Sequence, residues 1–167
     1  MRDAALELYR DDGPLARAVG AVLRPAWLKL TGGPAGAIYR LRWVVPPLLR
    51  FVEYSGLLWI GSADGQQSEA AAFALICVLA FRHYDIVYRL RHQGTAPPEW
   101  LANLALGWDG RLVLGYILLV AGALPAGFFI AAGLLATVFV AESIAGWRRF
   151  GRGPHPVTYE DEEDEGL

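Results

Sequence analysis

Cysteine is almost absent from this chain: Cys77 stands alone, inside an apolar run. A disulfide framework and a thiolate metal site are therefore excluded. The first twelve residues carry Arg2, Asp3, Glu7, Arg10, Asp11 and Asp12 with no apolar stretch, so no signal peptide is expected there. There is no phosphate-cradling P-loop, no Gly-x-Ser-x-Gly elbow and no His-Glu-x-x-His zinc helix. Arg148, Arg149 and Arg152 are too few, and too close to an apolar segment, for a nucleic-acid surface, so no nucleic-acid partner is expected. The most telling gap is in charge. From Leu112 to Ala141, thirty consecutive residues carry none. A buried helix of a soluble protein needs roughly 10–14 apolar residues, whereas a bilayer crossing needs roughly 20. With 54% hydrophobic and 19% charged residues in 167, the chain reads as a single all-α integral membrane domain.

What is present suggests an order of elements. Leu15, Val19, Val22, Leu23, Ala26, Trp27 and Leu30 recur at helical spacing with Arg17 and Arg24 opposite. That pattern predicts an amphipathic helix over 14–30 lying in the membrane interface, with Pro14 in its first turn and Pro25 bending or ending it. Gly32, Gly33, Pro34 and Gly36 predict a loop. Four crossings follow: Trp43 to Ile60, about Glu69 to Tyr88, about Asp109 to Leu124, and Ala126 to Trp147. Pro125 breaks the long uncharged run into a tight hairpin, since thirty residues exceed one untilted span. Residues 94–99 form a polar linker, and residues 100–107 a short surface helix. The block Glu160 to Glu165 repels itself and predicts a disordered tail. The expected organisation is a cytoplasmic segment with the interfacial helix over 1–42, a four-helix transmembrane domain over 43–148 and an acidic cytoplasmic tail over 149–167.

Basic residues set the orientation. None of the 15 Lys and Arg falls between residues 61 and 68 or in the turn at 122–126. They gather before the first crossing, around the second linker and after the fourth crossing. By the positive-inside rule both termini are expected in the cytoplasm, and the protein in the inner (plasma) membrane.

Charges within the crossings are costly, roughly 2.5–3.5 kcal/mol each on insertion scales. They cluster in four places. Arg50, Glu53 and Tyr54 share one face of the first helix at i, i+3 and i+4. Arg82, His83, Asp85 and Arg89 follow in the second, with Asp85–Arg89 an i, i+4 acid–base pair. Asp109 and Arg111 open the third, and Glu142 with Ser143 lies in the fourth. All fall in the cytoplasmic half. A bundle would gather them into a polar cavity, with Arg50, Arg82, Arg89 and Arg111 suited to phosphate. Glu53, His83, Asp85, Asp109 and Glu142 are the candidates for acid–base work, and Asp85, Asp109 and Glu142 for Mg²⁺. Pairing within each helix would account for several of them equally well, and Asp109 has the makings of a plain helix cap. Glu142 has no base nearby on its own helix before Arg148, so a partner from another helix is expected: Arg50, Arg82 or Arg111.

The strings Arg42-Trp43-Val44-Val45-Pro46-Pro47-Leu48-Leu49-Arg50-Phe51-Val52-Glu53-Tyr54, His83-Tyr84-Asp85-Ile86-Val87-Tyr88-Arg89-Leu90-Arg91 and Gly107-Trp108-Asp109-Gly110-Arg111 resemble an uncharacterised actinobacterial membrane domain. The likeness runs from Leu8 to Arg148. Domains of that kind often share a polypeptide with a nucleotidyltransferase-like region and a CDP-alcohol phosphotransferase. Asp12-Gly13-Pro14-Leu15-Ala16-Arg17 is also similar to the Asp-Gly-x-x-Ala-Arg core of CDP-alcohol phosphotransferases. The upstream aspartate of that motif is Tyr9 here. If Arg50 and Glu53 follow its second half, Val45 and Leu49 replace both later aspartates, which a two-metal site would need.

The resemblance and the charges together imply a domain acting at the cytoplasmic face in phospho-alcohol or lipid head-group metabolism, as a transferase-like catalyst or an accessory to one. Two other classes stand beside it. One is a non-enzymatic membrane anchor or assembly module for a partner protein. The other is a small transporter subunit, which would want a polar path through outer halves that are apolar. Expected partners are membrane lipids, a CDP-alcohol phosphotransferase or nucleotidyltransferase, and a second copy of the chain.

Overall fold

The computed structural model describes residues 9–30 and 39–152, and every regular element among them is helical. In order these are α1 (Pro14–Leu30), a 3-10 turn (Tyr39–Val44), α2 (Val45–Asp64), α3 (Gln66–His92), the short α4 (Glu99–Leu104), α5 (Gly107–Val120) and α6 (Leu124–Phe150). α3 packs along both α2 and α6, α5 lies against α2 and α6, and α1 touches the bundle through α5. Gly65 alone joins α2 to α3, with φ +111°, a conformation that glycine adopts without strain. Pro125 sits in the first turn of α6, where its missing N–H costs nothing.

Among the described residues, three stretches are long and apolar enough to cross a membrane: Gln66–His92, Glu99–Val120 and Leu124–Phe150. The segment expected to make the first crossing is a 20-residue helix, starting at Val45 rather than Trp43. Arg50, Glu53 and Asp64 leave it outside that group. The segment expected as the third crossing and its short preceding helix form one apolar stretch, divided at Ala105 and Leu106. α1 occupies the predicted residues 14–30, and Pro25, expected to bend or end it, lies inside the helix and does not end it. The glycine-rich loop after α1 and the acidic tail lie outside the described residues.

The core sits between α2, α3 and α6, where Leu57, Ile60, Ala71, Ala72, Leu75, Leu79, Leu124, Phe128 and Ala132 bury one another. Gly115 lets the Phe128 ring approach α5 closely. Many large apolar side chains face outward instead, among them Phe51, Trp59, Phe73, Val120, Ile130 and Leu134. An outward apolar surface of this kind suits lipid rather than water. The buried charged residues of the bundle gather at one end, where α2 and α5 begin and α3 and α6 finish.

Candidate functional site

Asp11, just ahead of α1, is the hub of this polar end. Its side chain is almost fully buried, and four groups from three helices face it. Arg111 Nη2 donates to Oδ2 at 2.8 Å, while Arg82 Nη2 lies 3.7 Å from Oδ1. Arg50 Nη1 and His83 Nε2 lie 3.9 and 3.7 Å from Oδ2. Burial disfavours a charged Asp11, but the fields of Arg111 and Arg82 and the hydrogen bond from Arg111 outweigh it. The carboxyl is held well below the usual aspartate range. The backbone at Asp11 has φ +48°, in the left-handed region that aspartate enters more readily than most residues.

Glu53 forms the other negative pole and is fully buried. Arg111 Nε donates to its Oε1 at 2.6 Å, and Arg50 Nη1 donates to its Oε2. Arg111 thereby bridges two carboxylates and spends Nη1 on the Ala105 carbonyl at 2.9 Å. Arg50 also donates to the Arg10 carbonyl and approaches His83 Nε2 at 2.9 Å. A guanidinium only donates, so Nε2 accepts; His83 is then neutral and its Nδ1–H donates to the Tyr54 hydroxyl, 2.8 Å away.

Arg82 differs from its neighbours. Its side chain is 5% exposed, yet among the described residues it donates no hydrogen bond, and its Nε is buried without a partner. Its contacts are the 3.7 Å approach to Asp11 and a cation–π contact, 4.9 Å above the Phe139 ring. Beside it, Asp85, Pro97, Leu101 and Glu142 help to line a cavity with room for about one water. Counted together, Arg50, Arg82 and Arg111 face Asp11 and Glu53, leaving one positive charge in excess.

The anticipated single cavity is in fact two clusters. In the second, Arg89 Nε lies 2.9 Å from Asp85, and its Nη2 donates to Glu142 at 2.7 Å. Ser143 donates to Asp85 at 2.8 Å, and Arg149 reaches Glu142 at 3.1 Å. Glu142 does find a cation across helices, as expected, but it is Arg89 and not Arg50, Arg82 or Arg111. Gly146 makes this approach possible, since a Cβ there would collide with the Arg89 guanidinium. From its own helix Glu142 also receives Arg149, one residue beyond Arg148, which folds back to it. A groove of about 290 Å³ opens beside this cluster, lined by Gln93, Thr95, Pro98 and Phe150 among others, with its Arg89 and Arg149 already paired to acids.

Asp109 belongs to neither cluster. Its carboxylate accepts the backbone N–H groups of Gly13 at 2.6 Å, Leu15 at 3.0 Å and Ala16 at 3.1 Å, capping α1 from a distant part of the chain. Trp108 completes the dock: its backbone N–H donates to the Asp11 carbonyl and its indole N–H to Asp12, both at 3.1 Å. Gly13 and Gly107 meet backbone to backbone, which a Cβ on either would prevent. Leu106 and Gly107 hold φ of +61° and +67°, so the dock carries local strain at a bulky residue. The Asp-Gly-x-x-Ala-Arg stretch is thus a docking turn. Asp85, Asp109 and Glu142 serve different partners, and no group of three His, Cys, Asp or Glu able to hold a metal converges among the described residues.

Sequence reasoning missed Asp11, which it read as one charge among several near the N-terminus. The available signal was the Asp-Gly-Pro run, which marks a helix entry and so a place where a carboxylate is oriented. The family model for a family of unknown function, DUF5941, matches residues 35–163, and the chain belongs to that family. No curated protein and no solved structure matches it.

Proposed function

We propose that this member of the DUF5941 family is a four-span membrane domain, with both termini cytoplasmic, that recognises phosphorylated alcohols or lipid head groups at the cytoplasmic face. It serves head-group metabolism there, as catalyst or as accessory to a phosphotransferase partner. The observation that carries the reading is the convergence of Arg50, Arg82 and Arg111 from three helices, with Arg82 buried and undersatisfied. Guanidinium forks suit phosphate oxygens, and a site walled by helices loses less of their strength to water than a surface patch would. The core beyond, from Leu57 to Ala132, is apolar and favours a one-sided site over a transport path. Protein in nanodiscs should bind glycerol 3-phosphate saturably, and Arg82→Gln should lose that binding while remaining folded. Equal binding by both would refute the reading.

A second reading, an assembly module, draws on α1. It has no buried residue, and Leu15, Val19, Val22, Leu23 and Leu30 are exposed along one face. Replacing Val19 and Val22 with Ser should release a partner or loosen the contact with lipid if that face is used, with glycerol 3-phosphate binding unchanged.

A further inference from the structure

The geometry points to Asp11 as an internal stand-in for a phosphate: the N-terminal arm closes an anion site formed by Arg50, Arg82 and Arg111, and a phosphate or phosphomonoester displaces it. This inference rests on the phosphate reading above and adds a state in which the site is shut.

Three observations carry it. The groups around Asp11 come from α2, α3 and α5, whereas Asp11 itself comes from outside the bundle. A carboxylate fits the set poorly. Of the three facing guanidiniums only Arg111 bonds it closely, while Arg82 and Arg50 stand 3.7 and 3.9 Å away. Arg82 is left without a hydrogen bond, and Arg50 Nε is likewise buried and unpartnered. A tetrahedral oxyanion offers more acceptor oxygens, spread more widely, and would meet donors that Asp11 leaves idle.

The arm is also built to come away. α1 buries none of its own residues and is tied at its entry by Asp109, Trp108 and Asp11. Leu106 and Gly107, against which it rests, are in the left-handed region. With the arm out, three arginines would face Glu53 alone, a net attraction for a dianion. Asp85 is engaged by Arg89 and Ser143, so it does not substitute for Asp11 at Arg82.

The test uses the whole chain in phosphatidylcholine nanodiscs. Inorganic phosphate is titrated while hydrogen exchange is followed at the amides of Gly13, Leu15 and Ala16. In the wild type, phosphate should speed exchange at these amides as the arm leaves; no change at saturating phosphate overturns the inference. Asp11→Ala should bind phosphate more tightly, on the order of tenfold or more, because the site no longer spends most of its time shut. Asp109→Ala, which keeps the Asp11 carboxylate but loosens the arm, should shift affinity the same way. Adding Arg82→Gln to Asp11→Ala should abolish the gain. Equal affinity in the wild type and Asp11→Ala, lost in both with Arg82→Gln, keeps the phosphate site and removes the latch. Absence of phosphate binding in every form removes both. Repeating the exchange measurement in nanodiscs containing phosphatidate separates the sources: release there without added phosphate assigns a lipid head group, and release by dissolved phosphate alone assigns a soluble ligand.

Discussion

Glu53 and Glu142 are both carboxylates inside helices, yet their removal should differ. Glu53 is fully buried and answers two arginines. Glu53→Gln leaves charge uncompensated where water cannot reach, so a loss of about 3–5 kcal/mol is expected. Glu142→Gln leaves Arg89 its Asp85 partner, and the loss should be the smaller of the two. Thermal unfolding of the two variants in one detergent gives the ranking, and a reversed order would contradict the pairing described. Asp11 adds a pH dependence. Its carboxyl is held below the unfolded value, so its contribution is complete above the usual aspartate range of about 4 and fades as the pH falls through and below it. The acid limb of a stability profile should therefore become shallower in Asp11→Asn, and unchanged limbs would show that Asp11 is not charged in the fold. Sequence alone pointed to the i, i+3 pair Arg50–Glu53 and the i, i+4 pair Asp85–Arg89 because one helix fixes both ends. It pointed to the wrong partner for Glu142. Across α3 and α6 the Arg89 guanidinium passes Gly146 and Arg82 lies over Phe139, contacts between distant positions that leave no local signature.

The N-terminal arm is the element with the sharpest prediction. Asp109→Ala orphans three amides at the start of α1. By the ordinary value of a helix cap this costs about 1–2 kcal/mol, concentrated in the arm. Exchange at Gly13, Leu15 and Ala16 should quicken while the α3 core stays protected. Gly107→Ala should undock the arm more completely, since its φ of +67° disfavours alanine and the new methyl would strike the Gly13 backbone. If limited proteolysis ahead of α1 is no faster in Gly107→Ala than in the wild type, the dock is not as described. The helix over 14–30 was legible from its apolar spacing, and the α5–α6 hairpin from Pro125 and the uncharged run. The dock was not, because it joins residues nearly a hundred positions apart. Asp109 was legible as a helix cap, but the helix it caps is α1 rather than its own. α2 was legible only in outline: it keeps Arg50 and Glu53 because Arg111 and Asp11 neutralise them from elsewhere in the fold.

At the scale of the whole molecule, the polar groups divide the bundle into two unequal ends. One holds Asp11, Glu53, Arg82, Arg89 and Arg111; the other turns at Gly65 and at Gly122, next to a core of leucine, alanine and phenylalanine. A site for cytoplasmic phosphate requires the first end to face the cytoplasm. It also requires α2 to cross the bilayer although its own hydropathy is weak, with α3, α5 and α6 shielding its charges. Both requirements are tested by topology reporters fused after residue 64, at the α2–α3 turn, and after residue 95, in the linker beside the Arg89 cluster. An external signal at 64 and a cytoplasmic one at 95 are expected. A cytoplasmic signal at 64, or an external one at 95, would contradict this topology.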